Sequence, residues 1–269
     1  MFFQKKWYLL VFTVIFLSGC NTVMEMIPLD IDKTLGEQFS YQINVSTSDY
    51  PVLDPEKHKE VYAYVENIRD QLLQSDKIKY KNQFPYSVKI IQDDNTLNAF
   101  CVAGGYIYVY TGLIKYVDSE SELAGVIAHE IAHAENRHTV KQLAESYGTG
   151  ILISLIFGSD YRDLINLGQQ LLSLKFSRGD EKEADEFAVE YLYDTNYDPR
   201  GVGGFFKKLI KEEKDHKHIP DFLSTHPASQ DRIDDIDKKW KELGAKEGET
   251  GTERHKKIVQ LLTTDSRAE

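Results

Sequence analysis

His129-Glu130-Ile131-Ala132-His133 sets two imidazoles and a carboxylate at a spacing that could do metal chemistry. In a helix of about 3.6 residues per turn, residues four apart lie roughly 40° from each other, so both rings can converge on one ion. Glu130 falls about 100° round from His129, beside such an ion and not on it, where its carboxylate can take a proton from a metal-bound water. Two imidazoles leave a zinc site incomplete, and the rest of the chain must supply another ligand.

His138 is the nearest further histidine. A pattern with its third histidine six residues after the second would need it at Thr139, with a glycine where Asn136 stands. On a continuing helix His138 points about 180° away from His129, which predicts a solvent-facing ring. The stretch Ser177-Arg178-Gly179-Asp180-Glu181-Lys182-Glu183-Ala184-Asp185 offers more. Glu181 and Asp185 are one helical turn apart, so Glu181 can bind the metal while Asp185 accepts the outer ring N–H of a ligating histidine. Glu183 is the rival ligand, but it sits about 200° from Glu181 and has no acid four residues on. Two histidines, one glutamate and a water form a known hydrolytic zinc set, with one zinc expected per chain. Downstream, the His226-Pro227 loop could bring His226 and Arg232 toward the cleft, His226 holding an oxyanion or taking the fourth metal position. His216 and His218, in a charged stretch, read as exposed.

The elements that must position these groups follow from patterning. Asp54-Pro55 is a helix start, and Val61, Val65, Ile68 and Leu72 make one apolar face. Phe84 to Gln92 reads as a strand, with a turn at Asp93-Asp94-Asn95. Tyr106, Tyr108 and Tyr110 alternate with Ile107 and Val109, giving a strand with an aromatic and an aliphatic face, and Gly104-Gly105 lets the backbone turn before it. One edge of this sheet, around Asn98, Ala99, Phe100, Gly104 and Gly105, could receive an extended peptide by strand addition. Ser119-Glu120-Ser121-Glu122 is a capping-box candidate that starts the helix carrying the histidines. Leu123, Val126, Ile127 and Ile131 form its buried side. Beyond Gly148 and Gly150, the apolar run Ile151 to Phe157 is too short to cross a bilayer, and helical spacing resumes from Asp163.

The 269 residues carry a formal charge of −11 and no basic stripe, which argues against nucleic-acid binding. Lys5 and Lys6, the apolar run Trp7 to Leu17 and the small residues after it have the layout of a secretory signal. The run rises only about 16 Å as a helix, against a hydrocarbon core of about 30 Å. Leu17-Ser18-Gly19-Cys20 resembles the bacterial lipobox, which implies cleavage before Cys20 and lipid on that cysteine; Asn21 after it then favours the outer membrane of a Gram-negative cell, facing the periplasm. Loss of Lys5 and Lys6 would take the charge to −13. With Cys20 acylated, Cys101 is left without a partner and reads as a small buried residue and not a nucleophile. The organisation expected is a signal peptide over 1–19, a tether over 20–53, a catalytic domain over 54–243 and a polar, loosely ordered tail over 244–269.

In this order, Asn98-Ala99-Phe100, the Gly104-Gly105-Tyr106-Ile107-Tyr108-Val109 strand, His129-Glu130-Ile131-Ala132-His133, Ser177-Arg178 with Glu181, Glu183 and Asp185, and Thr225-His226-Pro227 with Arg232-Ile233 resemble peptidase family M48. These are zinc metallopeptidases that include HtpX-like, BepA-like and LoiP-like proteases. The resemblance covers roughly residues 55–240. It implies that His129, His133 and Glu181 bind zinc, that Glu130 is the general base, that Asp185 backs a ligand and that His226 lies near the metal. Ala103 departs from the proline of many relatives. The expected fold is α+β and predominantly helical, a zincin-type domain with a small sheet beside the active helix. The expected activity is hydrolysis of unfolded or damaged envelope proteins. A lipid-anchored, chaperone-like binding protein with a self-blocked site is the alternative.

Overall fold

The computed structural model describes residues 24, 27–149, 175–214 and 222–265. Lipidation at Cys20, the run Ile151 to Phe157, the helical spacing from Asp163 and the exposure of His216 and His218 all concern residues outside these. Among the described residues no helix is long and apolar enough to cross a membrane.

The sheet has three strands: β1 (Val88–Ile91), β2 (Ala99–Val102) and β3 (Tyr106–Tyr110), in the order β1-β3-β2. β3 pairs in parallel with β1 (Val88 opposite Ile107) and antiparallel with β2 (Cys101 opposite Ile107). The hairpin turns at Gly104 and Gly105, whose φ values of +79° and +81° suit glycine. β1 is four residues long where the sequence suggested nine, because Tyr86, at φ +43°, turns the chain just before it. The period-two reading holds: Ile107 and Val109 enter the main core, while Tyr108 and Tyr110 pack in a separate cluster on the other face.

That second cluster is completed by helix α1 (Asp30–Val45), which lies where a tether was expected. Ile31, Leu35, Phe39 and Ile43 recur every four residues and are buried, a single-face stripe hidden in sequence by interleaved polar residues. Gly36 lets the helix close on the hairpin, since a Cβ there would stand 2.1 Å from the Ala103 carbonyl. The next helix, α2 (Lys59–Leu72), starts later than Pro55 because Asp54 instead closes a turn, accepting from the Glu56 backbone N–H at 2.9 Å. Its Val61, Val65, Ile68 and Leu72 face is buried as expected. After β3 come α3 (Thr111–Tyr116), the central helix α4 (Glu120–Glu135) and α5 (His138–Tyr147), which ends at Gly148.

α4 is buried almost all round, packed between α6 (Arg178–Tyr193) and α7 (Gly201–Lys214) on one side and the sheet on another. Ser119 caps it by accepting from the Glu122 N–H, but Glu122 turns outward to Asp118 N–H, so only half of the capping box forms. The approach to α7 is close: a Cβ on Gly125 would lie 2.2 Å from the Val202 nitrogen. The short α8 (Phe222–Thr225) and α9 (Gln230–Glu242) follow. The expected loose tail instead forms α10 (Thr252–Asp265), which buries Ile258 and Leu262. His255 of that helix anchors it, meeting Tyr64 Oη at 2.8 Å and the Val117 carbonyl at 3.1 Å. The fold is α+β and predominantly helical.

Candidate metal centre

α4 turns His129 and His133 toward one point, and their Nε2 atoms are 3.0 Å apart. α6 brings Glu181 to the same point, its Oε2 3.5 Å from His129 Nε2 and its Oε1 3.6 Å from His133 Nε2. The loop between α8 and α9 adds His226, whose Nδ1 is 3.3 Å from His129 Nε2 and 2.9 Å from Glu181 Oε1. All four are buried. Around a tetrahedral zinc with bonds of about 2.0–2.1 Å, neighbouring ligand atoms stand about 3.3 Å apart. The 2.9–3.6 Å separations here bracket that value.

Charge points the same way. The site buries the carboxylates of Glu130, Glu181 and Asp185 against a single guanidinium, Arg232. Among the described residues, with the imidazoles neutral as metal ligands must be, two negative charges are left over, the amount one divalent cation supplies; a buried charge without a partner is costly, and in the metal-free site a proton on His129 offsets part of it. Burial opposes a charge on His129, but Asp185 and Glu181 override it and lift this imidazole to about 9. Burial and the imidazoles of His129 and His138 push His133 down, so it is a neutral donor at physiological pH. Glu181 is raised by burial, but His226 and His129 outweigh this and hold it well below the usual carboxylate range. Its Oε2 is buried with no well-aligned hydrogen bond, although the Arg232 guanidinium stands 2.7 Å away. The residues present therefore fit zinc.

Around the ligand atoms, Asp185 Oδ1 lies 3.0 Å from His129 Nδ1, and Arg232 grips Asp185 with Nε and Nη2, each at 2.7 Å. Arg232 Nη1 also sits 2.7 Å from Glu181 Oε2 and donates to the Pro227 carbonyl at 2.9 Å. Glu130 is oriented by the sheet: its Oε2 accepts from the Cys101 N–H at 3.2 Å, while Oε1 has no hydrogen-bond partner. Burial raises Glu130 above the usual carboxylate range, the direction that suits a general base. Cys101 is buried and its thiol is pushed well up by that burial, which fits a packing role.

The Asn98 carbonyl accepts from Tyr110 N–H. In the antiparallel register that phase turns the backbone groups of Asn98 and Phe100 toward β3 and those of Ala99 and Cys101 away from it. The far edge of the sheet is different, because Pro51 and Leu53 hydrogen-bond to Gln92 and Ile90 alongside β1. Among the described residues no strand pairs with the outer edge of β2, yet Ala99 is fully buried. Gly104 and Gly105 are filled from within, against Asp32 and against Phe84 and Tyr86, so they shape the hairpin.

Two features escape sequence reasoning. Aromatic rings clasp the imidazoles: Phe176 stacks on His133 with centroids 4.0 Å apart, and Phe222 stacks on His226 at 4.6 Å. The spacing of Phe222 and His226, four apart, was a signal available for the second. His138, expected in solvent, is buried, its Nδ1 2.8 Å from His133 Nδ1. His138 leaves the expected helical phase because α4 ends at Glu135 and Arg137 adopts a left-handed conformation (φ +56°, ψ +32°) that redirects the chain. Glu183 lies outside the ligand cluster, half-exposed, with its Oε2 3.2 Å from His138 Nε2.

A buried His-Glu-x-x-His helix joined to a glutamate from a second helix defines a metallopeptidase centre. The model of peptidase family M48 matches residues 59–240, and the chain belongs to that family of zinc metallopeptidases. It is similar to the beta-barrel assembly-enhancing protease of Yersinia pestis, 31% identical over 164 residues (56% of this chain, 34% of that protein). Metalloprotease LoiP of Escherichia coli is 32% identical over 158 residues, 56% of this chain and 60% of LoiP. The mitochondrial metalloendopeptidase OMA1 of Arabidopsis thaliana is 36% identical over 144 residues, 53% of this chain and 29% of OMA1. The match thus spans about a third of the Yersinia and Arabidopsis proteins.

Proposed function

We propose that the chain is a zinc-dependent endopeptidase of the cell envelope, with His129, His133 and Glu181 as ligands and Glu130 as the general base. The observation that carries this is the convergence of four buried donor atoms, all within 4.8 Å of one another. When bound there, zinc would supply a Lewis acid that acidifies a water and polarises a peptide carbonyl. Glu130, held by the Cys101 N–H through one oxygen, keeps the other for the proton of the attacking water and later passes it to the leaving amine. Asp185 fixes the His129 ring, and Arg232 fixes Asp185. The outward backbone groups of Ala99 and the Cys101 carbonyl would pair with an extended peptide, the Cys101 N–H being taken by Glu130, with Asn98, Phe100 and the hairpin at Gly104 and Gly105 flanking it. Strand addition requires an extended partner, which selects unfolded or misfolded protein. The lipobox-like sequence at Cys20 supports anchoring by acyl chains, at the outer membrane and facing the periplasm in a Gram-negative cell, and a role in envelope quality control.

A second reading, a binding protein whose site is blocked from within, draws on a specific observation: His226 stands among the ligands, and Ala99 on the substrate edge is buried. Zinc content and cleavage of an unfolded protein separate the readings. The wild type should hold one zinc per chain and cleave, whereas Glu130→Gln should keep the zinc and lose cleavage by about 100-fold to 10,000-fold, the range for general-base catalysis. Equal cleavage by both would sink the mechanism. His226→Ala should cleave faster if His226 closes the fourth position, and slower if it holds the oxyanion.

A further inference from the structure

The two histidines of the active helix are held from behind in different ways. His129 Nδ1 meets a carboxylate directly, Asp185 at 3.0 Å, and that carboxylate is in turn gripped by Arg232. His133 Nδ1 meets another imidazole, His138 Nδ1 at 2.8 Å. Behind it His138 Nε2 is 3.2 Å from Glu183 Oε2 and 3.7 Å from Asp180 Oδ1. Two ring nitrogens at hydrogen-bonding distance require one donor and one acceptor, and a neutral imidazole carries a single N–H.

We propose that His138 is a positioning residue for the metal site, which accepts the His133 Nδ1–H and thereby fixes the tautomer and ring orientation in which His133 Nε2 faces the ion. The proton assignment follows from geometry. His133 Nε2 is the atom that faces His129 Nε2 and Glu181, so its lone pair belongs to the ligand cluster and the ring proton sits on Nδ1. His138 must then accept at Nδ1 and carry its own proton on Nε2, where the Glu183 carboxylate receives it. Every polar atom of the pair is thereby satisfied in a buried setting. His138, Asp180 and Glu183 are near enough to one another to suggest a second cation site. The Lys141 ammonium, 2.6 Å from Asp180 Oδ1, already supplies the positive charge there, and Ser177 holds the other Asp180 oxygen in the helix cap. The cluster is therefore the outer end of the relay.

The chain break that makes this arrangement is itself held by distant residues. Arg137 is left-handed, a conformation that costs a non-glycine residue of order 1 kcal/mol or more. Its guanidinium is fixed by Asp32 of α1, at 2.9 Å from Nε and 2.6 Å from Nη2, and by the carbonyls of Met24, Ile27 and Pro28. With the turn locked, His138 becomes the first residue of α5 and points back at His133. Were α4 to continue, the ring would leave the site.

The inference rests on His133 being a zinc ligand, and the experiment keeps the two claims apart. Zinc affinity of the full chain is measured by competition with a chromophoric chelator for the wild type, His138→Leu and His138→Asn, with the unfolding midpoint of each metal-free chain. Asn places an amide oxygen where His138 Nδ1 accepts, whereas Leu fills the volume without an acceptor. Loss of an outer partner of a zinc histidine costs about 10–100-fold in affinity. His138→Leu should fall in that range, and His138→Asn should stay within about threefold of the wild type at a similar metal-free midpoint. If His138→Leu does not fold, His138→Ala takes its place in the comparison. A wild type that binds zinc with unaltered affinity in His138→Leu, or an equal loss in His138→Asn, overturns the relay alone. A wild type that binds no zinc overturns the site and the relay together.

Discussion

Arg232→Leu tests whether the metal centre is a charge-balanced unit. The guanidinium is 8% exposed and makes three contacts of 2.7 Å with carboxylates that are 1% and 4% exposed, Asp185 and Glu181. Its plane also lies over the Phe206 ring, with Cζ 4.1 Å from the centroid. Removing it leaves Asp185 with the His129 ring alone, strips a donor from the Pro227 carbonyl and adds one uncompensated negative charge to the site. Breaking a buried pair by deleting one partner costs about 3–5 kcal/mol, because the other charge stays buried. At roughly 2–4 °C per kcal/mol for a domain of this size, the unfolding midpoint should drop by about 6–20 °C. Urea unfolding, followed by circular dichroism with zinc and again after chelation, reads the effect. The loss should be larger in the chelated chain, where Glu181 has only the imidazoles of His226 and His129 beside it. Arg232→Lys, which keeps the charge and loses the fork onto Asp185, should be intermediate. A loss below about 1 kcal/mol in both conditions would refute the reasoning, since it would mean that the carboxylates do not depend on this cation.

Burial lifts the Asp32 carboxyl to about 6 despite its contacts with Arg137. Because this folded value lies above the ordinary 3.8, its contribution to stability is fully present below about pH 4 and is lost as the pH rises through 6. Relative to Asp32→Asn, the wild type should therefore lose about 3 kcal/mol of unfolding free energy between pH 4 and pH 7.5; a constant or widening difference contradicts this. Gly125→Ala places a methyl 2.2 Å from the Val202 nitrogen, a backbone atom that cannot swing aside. It should cost about 1–3 kcal/mol or more, read by urea unfolding, and a neutral outcome would show that α4 and α7 can separate freely.

The core of the site could be read from sequence because it is written in helical spacing. His129 with His133, and Glu181 with Asp185, are each one turn apart, and that separation alone sets them on one face. The aromatic and aliphatic faces of β3 were equally local, being a matter of alternation. What escaped depends on where a helix stops and on what lies across the fold. The placement of His138 hinges on the left-handed Arg137, which a residue 105 positions away helps to hold. α1 and α10 were hidden because their apolar stripes are narrow and set among charges. The mixture of polar and apolar residues without an evident period before Asp54 predicts a tether, and the polar stretch from Gly244 predicts a loose tail, although each helix has a surface waiting for it.

α1 also separates two ways of drawing a boundary. The family match runs over residues 59–240, yet Asp32, which clamps the turn after the active helix, precedes it and α10 follows it. The stretch that marks the family is thus smaller than the unit that folds. A fragment trimmed to that stretch would keep every ligand and lose the buttress behind one of them. A shortened chain that keeps the whole support must begin ahead of Met24, whose carbonyl already helps to hold Arg137.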